Sequence, residues 1–101
     1  MSEVTNLLLA FSILEDTDAR VADVDGWLVG NEQLPLKSVW ENGECCGGSK
    51  RMDAPLYAGA FNYLPLRELL VFLRTLQWSQ PDEVQVILRG PSETGWRVVA
   101  A

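Results

Sequence analysis

Apolar residues recur along this chain with two spacings, one typical of strands and the other typical of helices. Two segments, Thr5–Leu14 and Leu56–Leu64, are nearly all apolar and carry no charge on either side. A strand of that kind is usually central in its sheet and covered on at least one face. Shorter alternating patterns predict three further strands, at Leu36–Glu41, Val84–Arg89 and Trp96–Ala100.

Helical spacing appears in two places between these strands. After Pro65, which suits the first position of a helix, an apolar stripe of leucines follows at positions 66, 69, 70, 73 and 76. The earlier helix begins among the cap candidates Glu15–Asp18, presents Val21, Val24 and Leu28 on one face, and reaches a plausible left-handed stop at Gly30–Asn31.

The resulting element order is β-α-β-β-α-β with an extra C-terminal hairpin strand, in one α+β domain spanning residues 1–101. This order is the ferredoxin-like, or split β-α-β, pattern, with two helices on one face of a mostly antiparallel sheet. Its first and third strands lie side by side in the middle of the sheet, and here those two strands are free of charge. If Leu36–Glu41 is not a strand, a βαβαββ domain remains as the alternative.

Composition narrows the class of protein. The chain has 101 residues, 48% of them hydrophobic, and a formal net charge of −6. An acidic surface argues against nucleic acid as a ligand, because phosphate binding relies on basic groups, and it is compatible with a basic protein partner. The apolar runs are too short to span a membrane, and Met1–Glu3 lacks the basic start of a secretory signal. We therefore expect a cytoplasmic protein without membrane contact.

The sequence lacks the residue types that most often carry out catalysis. The chain has no histidine, which removes the usual general base and metal ligand, so we expect no catalytic residues, metal or cofactor and favour a protein that is not an enzyme. Cys45–Cys46 is an unusual dipeptide that could act as a redox pair or as two soft metal ligands. Adjacent cysteines bridge only with strain, which favours two free thiols.

Two charged segments are candidates for ion binding. In the loop that contains Gly47, Gly48, Lys50 and Arg51, backbone N–H groups and two cations could hold an anion, although the spacing matches neither phosphate-binding fingerprint. A solvated surface loop is the favoured interpretation. Five carboxylates could bind a hard cation, but their spacing is not that of a calcium loop, and helix capping explains them better: Glu15, Asp16, Asp18, Asp23 and Asp25.

Aromatic residues supply the candidate partner contacts. Trp40 and Trp96 fall in predicted edge strands, where an exposed ring is a binding anchor, and Tyr57 lies at the start of the third strand.

A resemblance extends across most of the chain. It rests on Gly47-Gly48-Ser49-Lys50, on Tyr57-Ala58-Gly59-Ala60-Phe61-Asn62, on Trp78 with Pro81, and on Val84-Gln85-Val86. In these motifs the chain resembles small proteins of actinobacteria and their phages. The resemblance implies no activity, and it suggests an accessory or immunity-type role that works by binding another protein.

The first hypothesis is therefore a small, acidic, non-enzymatic protein-binding module. Because two helices cover only one face of the sheet, an apolar face should remain, and we expect a homodimer through it or an equivalent use by a partner. The alternative is a small-molecule or anion-binding domain, or a minimal enzyme, that uses the Gly47–Arg51 loop with Tyr57 and Asn62.

Overall fold

The computed structural model describes residues 3–41 and 47–100. They form an α+β arrangement of two α-helices and a five-stranded sheet, which confirms the predicted class. A 3-10 turn, Pro81–Glu83, precedes the fourth strand. The elements in chain order are β1 Val4–Ala10, α1 Thr17–Gly30, β2 Lys37–Ser38, β3 Leu56–Asn62, α2 Leu66–Thr75, β4 Gln85–Arg89 and β5 Arg97–Ala100.

The strands lie in the order β2-β3-β1-β4-β5, and every neighbouring pair is antiparallel. The two charge-free strands, β1 and β3, are neighbours through seven residue pairs, from Val4 opposite Asn62 to Ala10 opposite Leu56. The prediction that these strands lie side by side inside the sheet is confirmed.

Both predicted strands with long apolar runs are shorter than expected, as is the edge strand. The apolar run of the first strand continues past Ala10, but Ser12 turns the chain: its carbonyl accepts the N–H of Glu15 at 3.1 Å and its Oγ accepts the N–H of Leu14 at 3.1 Å. Such local bonds from a serine compete with the strand ladder. The expected strand Leu36–Glu41 is reduced to the two residues of β2.

The ends of the two helices lie within one or two residues of the predicted positions. The side chain of Asp16 accepts the N–H of Ala19 at 3.2 Å and caps α1. The first helix ends at Gly30 with Asn31 as its C-cap, as predicted, but the left-handed residue is Glu32, at φ 64°, whereas Asn31 has φ −109°. Pro65 precedes the first residue of α2 instead of occupying it.

One face of the sheet carries the core. Successive side chains of a strand point to opposite faces, and alternate residues of β1, β3 and β4 join both helices in a single buried cluster. The helices therefore cover that face, which we call the covered face. Its buried members are Leu7, Leu9, Phe11, Val24, Leu28, Leu36, Tyr57, Phe61, Leu69, Leu73, Val84, Val86 and Leu88.

A buried carboxylate links two loops at the covered face. Glu15 is only 7% exposed, and its two oxygens accept the backbone N–H groups of Ser79 at 2.8 Å and Gln80 at 2.6 Å. Because both oxygens are bonded, the charge is compensated where it lies. The loop before α1 is thereby tied to the chain that follows α2.

Candidate interaction surface

Neither α1 nor α2 packs on the opposite face of the sheet, and we call it the open face. The strand register sets one row of side chains across all five strands, in the order Lys37, Ala58, Leu8, Ile87 and Val98. Four of these five residues are apolar; the three in the middle are half-buried, and Lys37 and Val98 at the two ends are exposed, Val98 to 61%. The centre of this face is therefore apolar and accessible.

Charge on the open face is of one sign. The five strands contain none of the 14 Asp and Glu residues of the chain. Lys37 and Arg89 lie on the open face, and Arg89 Nε donates to the backbone carbonyl of Glu93 at 2.9 Å. A protein with a net charge of −6 thus presents an apolar face whose strands carry only cations.

Of the three aromatic residues proposed as partner contacts, Trp96 lies at the surface. It precedes β5 directly, and alternation with Val98 sets it on the open face, where it is 54% exposed. It is an exposed aromatic ring beside an apolar row, which is the arrangement of many binding anchors.

The other two aromatic residues belong to the covered side. Tyr57 is 4% exposed, and its ring stacks on Phe11 with the ring centres 5.7 Å apart. The indole N–H of the half-buried Trp40 donates to the Tyr57 hydroxyl at 3.1 Å. Burial raises the pKa of Tyr57 above its usual value, against the lowering effect of that hydrogen bond. The structure thus brings Trp40 and Tyr57 together in the core and leaves Trp96 apart from them.

The candidate anion loop is exposed along its described part, Gly47–Arg51. Gly48 has φ +94°, a backbone conformation that favours glycine, and Arg51 Nη2 donates to the carbonyl of Glu41 at 3.3 Å. Asn62 is at the far end of β3, about 20 Å from the start of that strand by strand rise. The loop, the buried Tyr57 and Asn62 do not form one site. Cys45 and Cys46 lie outside the described residues.

Four of the five acidic residues around α1 have separate structural partners. Glu15 and Asp16 accept backbone N–H groups, and Asp23 lies 3.5 Å from Arg20. The side chain of Asp25 accepts the N–H of Leu36 at 3.0 Å. Burial raises the pKa of Asp25, while the bond from Leu36 opposes that shift. Within residues 3–41 and 47–100, no group of three or more potential ligands could hold a metal ion.

A groove beside β3 is a feature that sequence reasoning missed. It has a volume of about 430 Å³ and lies where β3 extends past the short β2. The sequence signal was Pro35, which has no N–H with which to continue the ladder of β2. The groove is lined by Leu34, Pro35, Lys37, Ala58, Gly59, Ala60 and Phe61.

Comparisons with known proteins give no match for this chain among family models, curated proteins or solved structures. None of the helices in the described part of the chain is long and apolar enough to cross a membrane. The function has to be argued from the chain's own surface.

Proposed function

We propose that the protein is a non-enzymatic binding module that contacts another protein through its open sheet face. The observation that carries this proposal is the apolar row from Ala58 through Leu8 and Ile87 to Val98, bordered by the exposed ring of Trp96. Apolar patches of this kind on small proteins usually mark interaction sites.

The charge of the face defines the chemistry of the partner. Lys37 and Arg89 lie among apolar neighbours, and covering a cation with an apolar surface is costly unless an opposite charge meets it. The partner's contact patch is therefore apolar and carries carboxylates that reach these two groups. The 14 carboxylates of this chain lie outside the strands and leave the open face free of competing negative charge.

Two finer assignments accompany this function as proposals. The first four strands and the two helices form a split β-α-β unit, to which β5 adds one edge strand. Its support is the adjacency of β1 and β3, with β2 and β4 outside them. An accessory or immunity-type role in the cytoplasm is supported by the resemblance to small actinobacterial and phage proteins, and the fold alone carries no function.

Site-specific photo-crosslinking in cells of the native host tests the proposed function. A photoreactive residue at Val98, on the open face, should crosslink to one protein that is not a second copy of this chain. The matched control is Val71, which is 53% exposed on α2 against 61% for Val98, and it should not crosslink to that protein. A second variant, Val98→Glu, should abolish capture of the same partner while Val71→Glu leaves it unchanged.

The proposal fails if both positions crosslink equally, or if no protein partner appears while a small molecule raises the melting temperature. The second outcome would favour the alternative of an anion or small-molecule site at the Gly47–Arg51 loop. A ligand effect that is lost in Lys50→Ala and Arg51→Ala would then identify that loop as the site.

A further inference from the structure

The last strand, β5, forms an outer edge of the sheet, and its free backbone groups can be identified from the register. The N–H of Tyr63 donates to the carbonyl of Glu3 at 2.9 Å, so the odd-numbered residues of β1 bond to β3. Backbone groups alternate between the two sides of an antiparallel strand. The even-numbered residues of β1 therefore bond to β4.

The same alternation continues to the edge. Residues of β4 that do not bond β1 are Val86 and Leu88, which stand opposite Val99 and Arg97 of β5. The N–H and C=O groups of Val98 and Ala100 consequently point outward, away from the sheet, as do those of the preceding Trp96. Among residues 3–41 and 47–100, no strand pairs with the outer edge of β5, so this edge presents donors and acceptors without a strand partner at every second residue.

The two edges of this sheet differ in how well they are protected from pairing with another strand. Beyond β2, the edge of β3 is accompanied by residues 33–36: the side chain of Gln33 donates to the carbonyl of Asn62 at 3.1 Å, and Pro35 has no N–H to offer. Charged residues, proline and covering segments are the usual protection of a sheet edge. The outward positions of β5 carry none of these, since Arg97 points to the other side and pairs with Glu93 at 3.2 Å.

We propose that a second copy of this chain adds its β5 to this edge, antiparallel and related by a two-fold axis at Val98. Val98 then faces its own counterpart, and Trp96 faces Ala100 of the second copy. In both halves of the interface the large ring of Trp96 lies opposite Ala100, the smallest side chain of the strand. The two copies therefore fit each other in side-chain size as well as in hydrogen bonding. The result is one ten-stranded sheet whose two open faces are continuous.

Charge argues for this edge over the open face as the contact between copies. Two open faces stacked on each other would bury Lys37 and Arg89 of both copies, and neither face has a carboxylate on its strands to meet them. Unpaired buried cations oppose association. At the β5 edge the charged side chain of the strand, Arg97, already has a carboxylate partner in Glu93, and the pairing does not depend on the open face having a protein partner.

Light scattering of the purified full chain, from micromolar to millimolar concentration, tests the pairing. We expect the mass to reach twice the 11.2 kDa of one chain. Val98→Pro removes an outward N–H and leaves the bonds between β4 and β5 intact, as proline is tolerated at such edge positions. It removes one hydrogen bond from each copy and should weaken dimerisation about thirtyfold with an unchanged circular dichroism spectrum.

Two controls separate the edge from general destabilisation. Val99→Pro removes an inward N–H that bonds β4, so it should lower the melting temperature, unlike Val98→Pro. Trp96→Ala should weaken the dimer, Ala100→Trp should weaken it by placing two indoles opposite each other, and the double variant should restore it. A protein that stays monomeric throughout, or a dimer that Val98→Pro and the exchange of Trp96 and Ala100 leave unchanged, overturns the proposal.

Discussion

Both faces of the sheet have apolar side chains at their centre, but the open face has smaller ones on β3 and also carries Lys37 and Arg89. On β1, Leu7 and Leu9 are 3% and 1% exposed on the covered face, while Leu8 and Ala10 between them are half-buried on the open face. On β3 the covered face has the rings of Tyr57 and Phe61, and the open face has alanines. The helices pack on the side where the larger side chains fill a core.

The largest expected effect compares neighbouring leucines on the two faces. Leu9→Ala leaves a cavity among fully buried side chains and should lower the free energy of unfolding by about 2–5 kcal/mol. Leu8→Ala, on the half-buried open face, should lower it by about 1 kcal/mol. Urea unfolding of both variants measures the difference, and equal losses would show that the open face is as closely packed as the covered one.

A second experiment replaces the buried carboxylate of Glu15, which links two loops at the covered face. In Glu15→Gln, one of the two acceptor oxygens becomes an NH₂ group that faces the N–H of Ser79 or Gln80. We expect a loss of roughly 1.5–3 kcal/mol in unfolding free energy, the usual value for a hydrogen bond to a charged group. The control Glu83→Gln, at an exposed residue of the nearby 3-10 turn, should change stability by less than about 0.5 kcal/mol.

Adding a methyl group to the covered face at Gly59 tests how tightly that side is filled. A Cβ on Gly59 would lie 2.5 Å from Cζ of Phe61 and 3.2 Å from Cδ2 of Leu36. Gly59→Ala should therefore force the buried ring to move, at a cost of about 1–3 kcal/mol. Gly95→Ala has open space around the new atom and should leave the melting temperature nearly unchanged. Equal behaviour of the two variants would mean that the Phe61 ring is free to shift.

The smallest expected effect is a dependence of folding stability on pH that arises from Asp25 of α1. Burial raises the pKa of Asp25 above its usual 3.8. Between the pKa of the unfolded chain and that of the folded protein, Asp25 therefore holds a proton in the folded state that the unfolded chain has released. Stability should then fall as pH rises from the unfolded pKa through the folded pKa. In Asp25→Asn the amide oxygen still accepts the N–H of Leu36, and this slope should vanish. Melting temperatures across mildly acid pH measure it, and a slope that persists in the variant would assign it to another group.

Much of the fold followed from local patterns. The leucine stripe of α2 and the cap residue Asp16 of α1 are properties of short segments, and the structure confirms both. Strand ends were less predictable, because Ser12 and Ser38 bond nearby backbone groups and end strands whose apolar pattern continues. The pairing of Trp40 with Tyr57 could not be foreseen, since it joins β3 to a segment 17 residues earlier in the chain.

The sequence by itself determined which segments are strands and helices, the absence of carboxylates from the strands, and a sheet with apolar residues on both faces. Only the tertiary structure decided which face the helices cover, that Glu15 is buried, and that Trp96 remains at the surface. Hydrophobic periodicity is a property of each segment alone. Which face is buried depends on the combined fit of several segments, since side chains of different strands and helices must fill one core together.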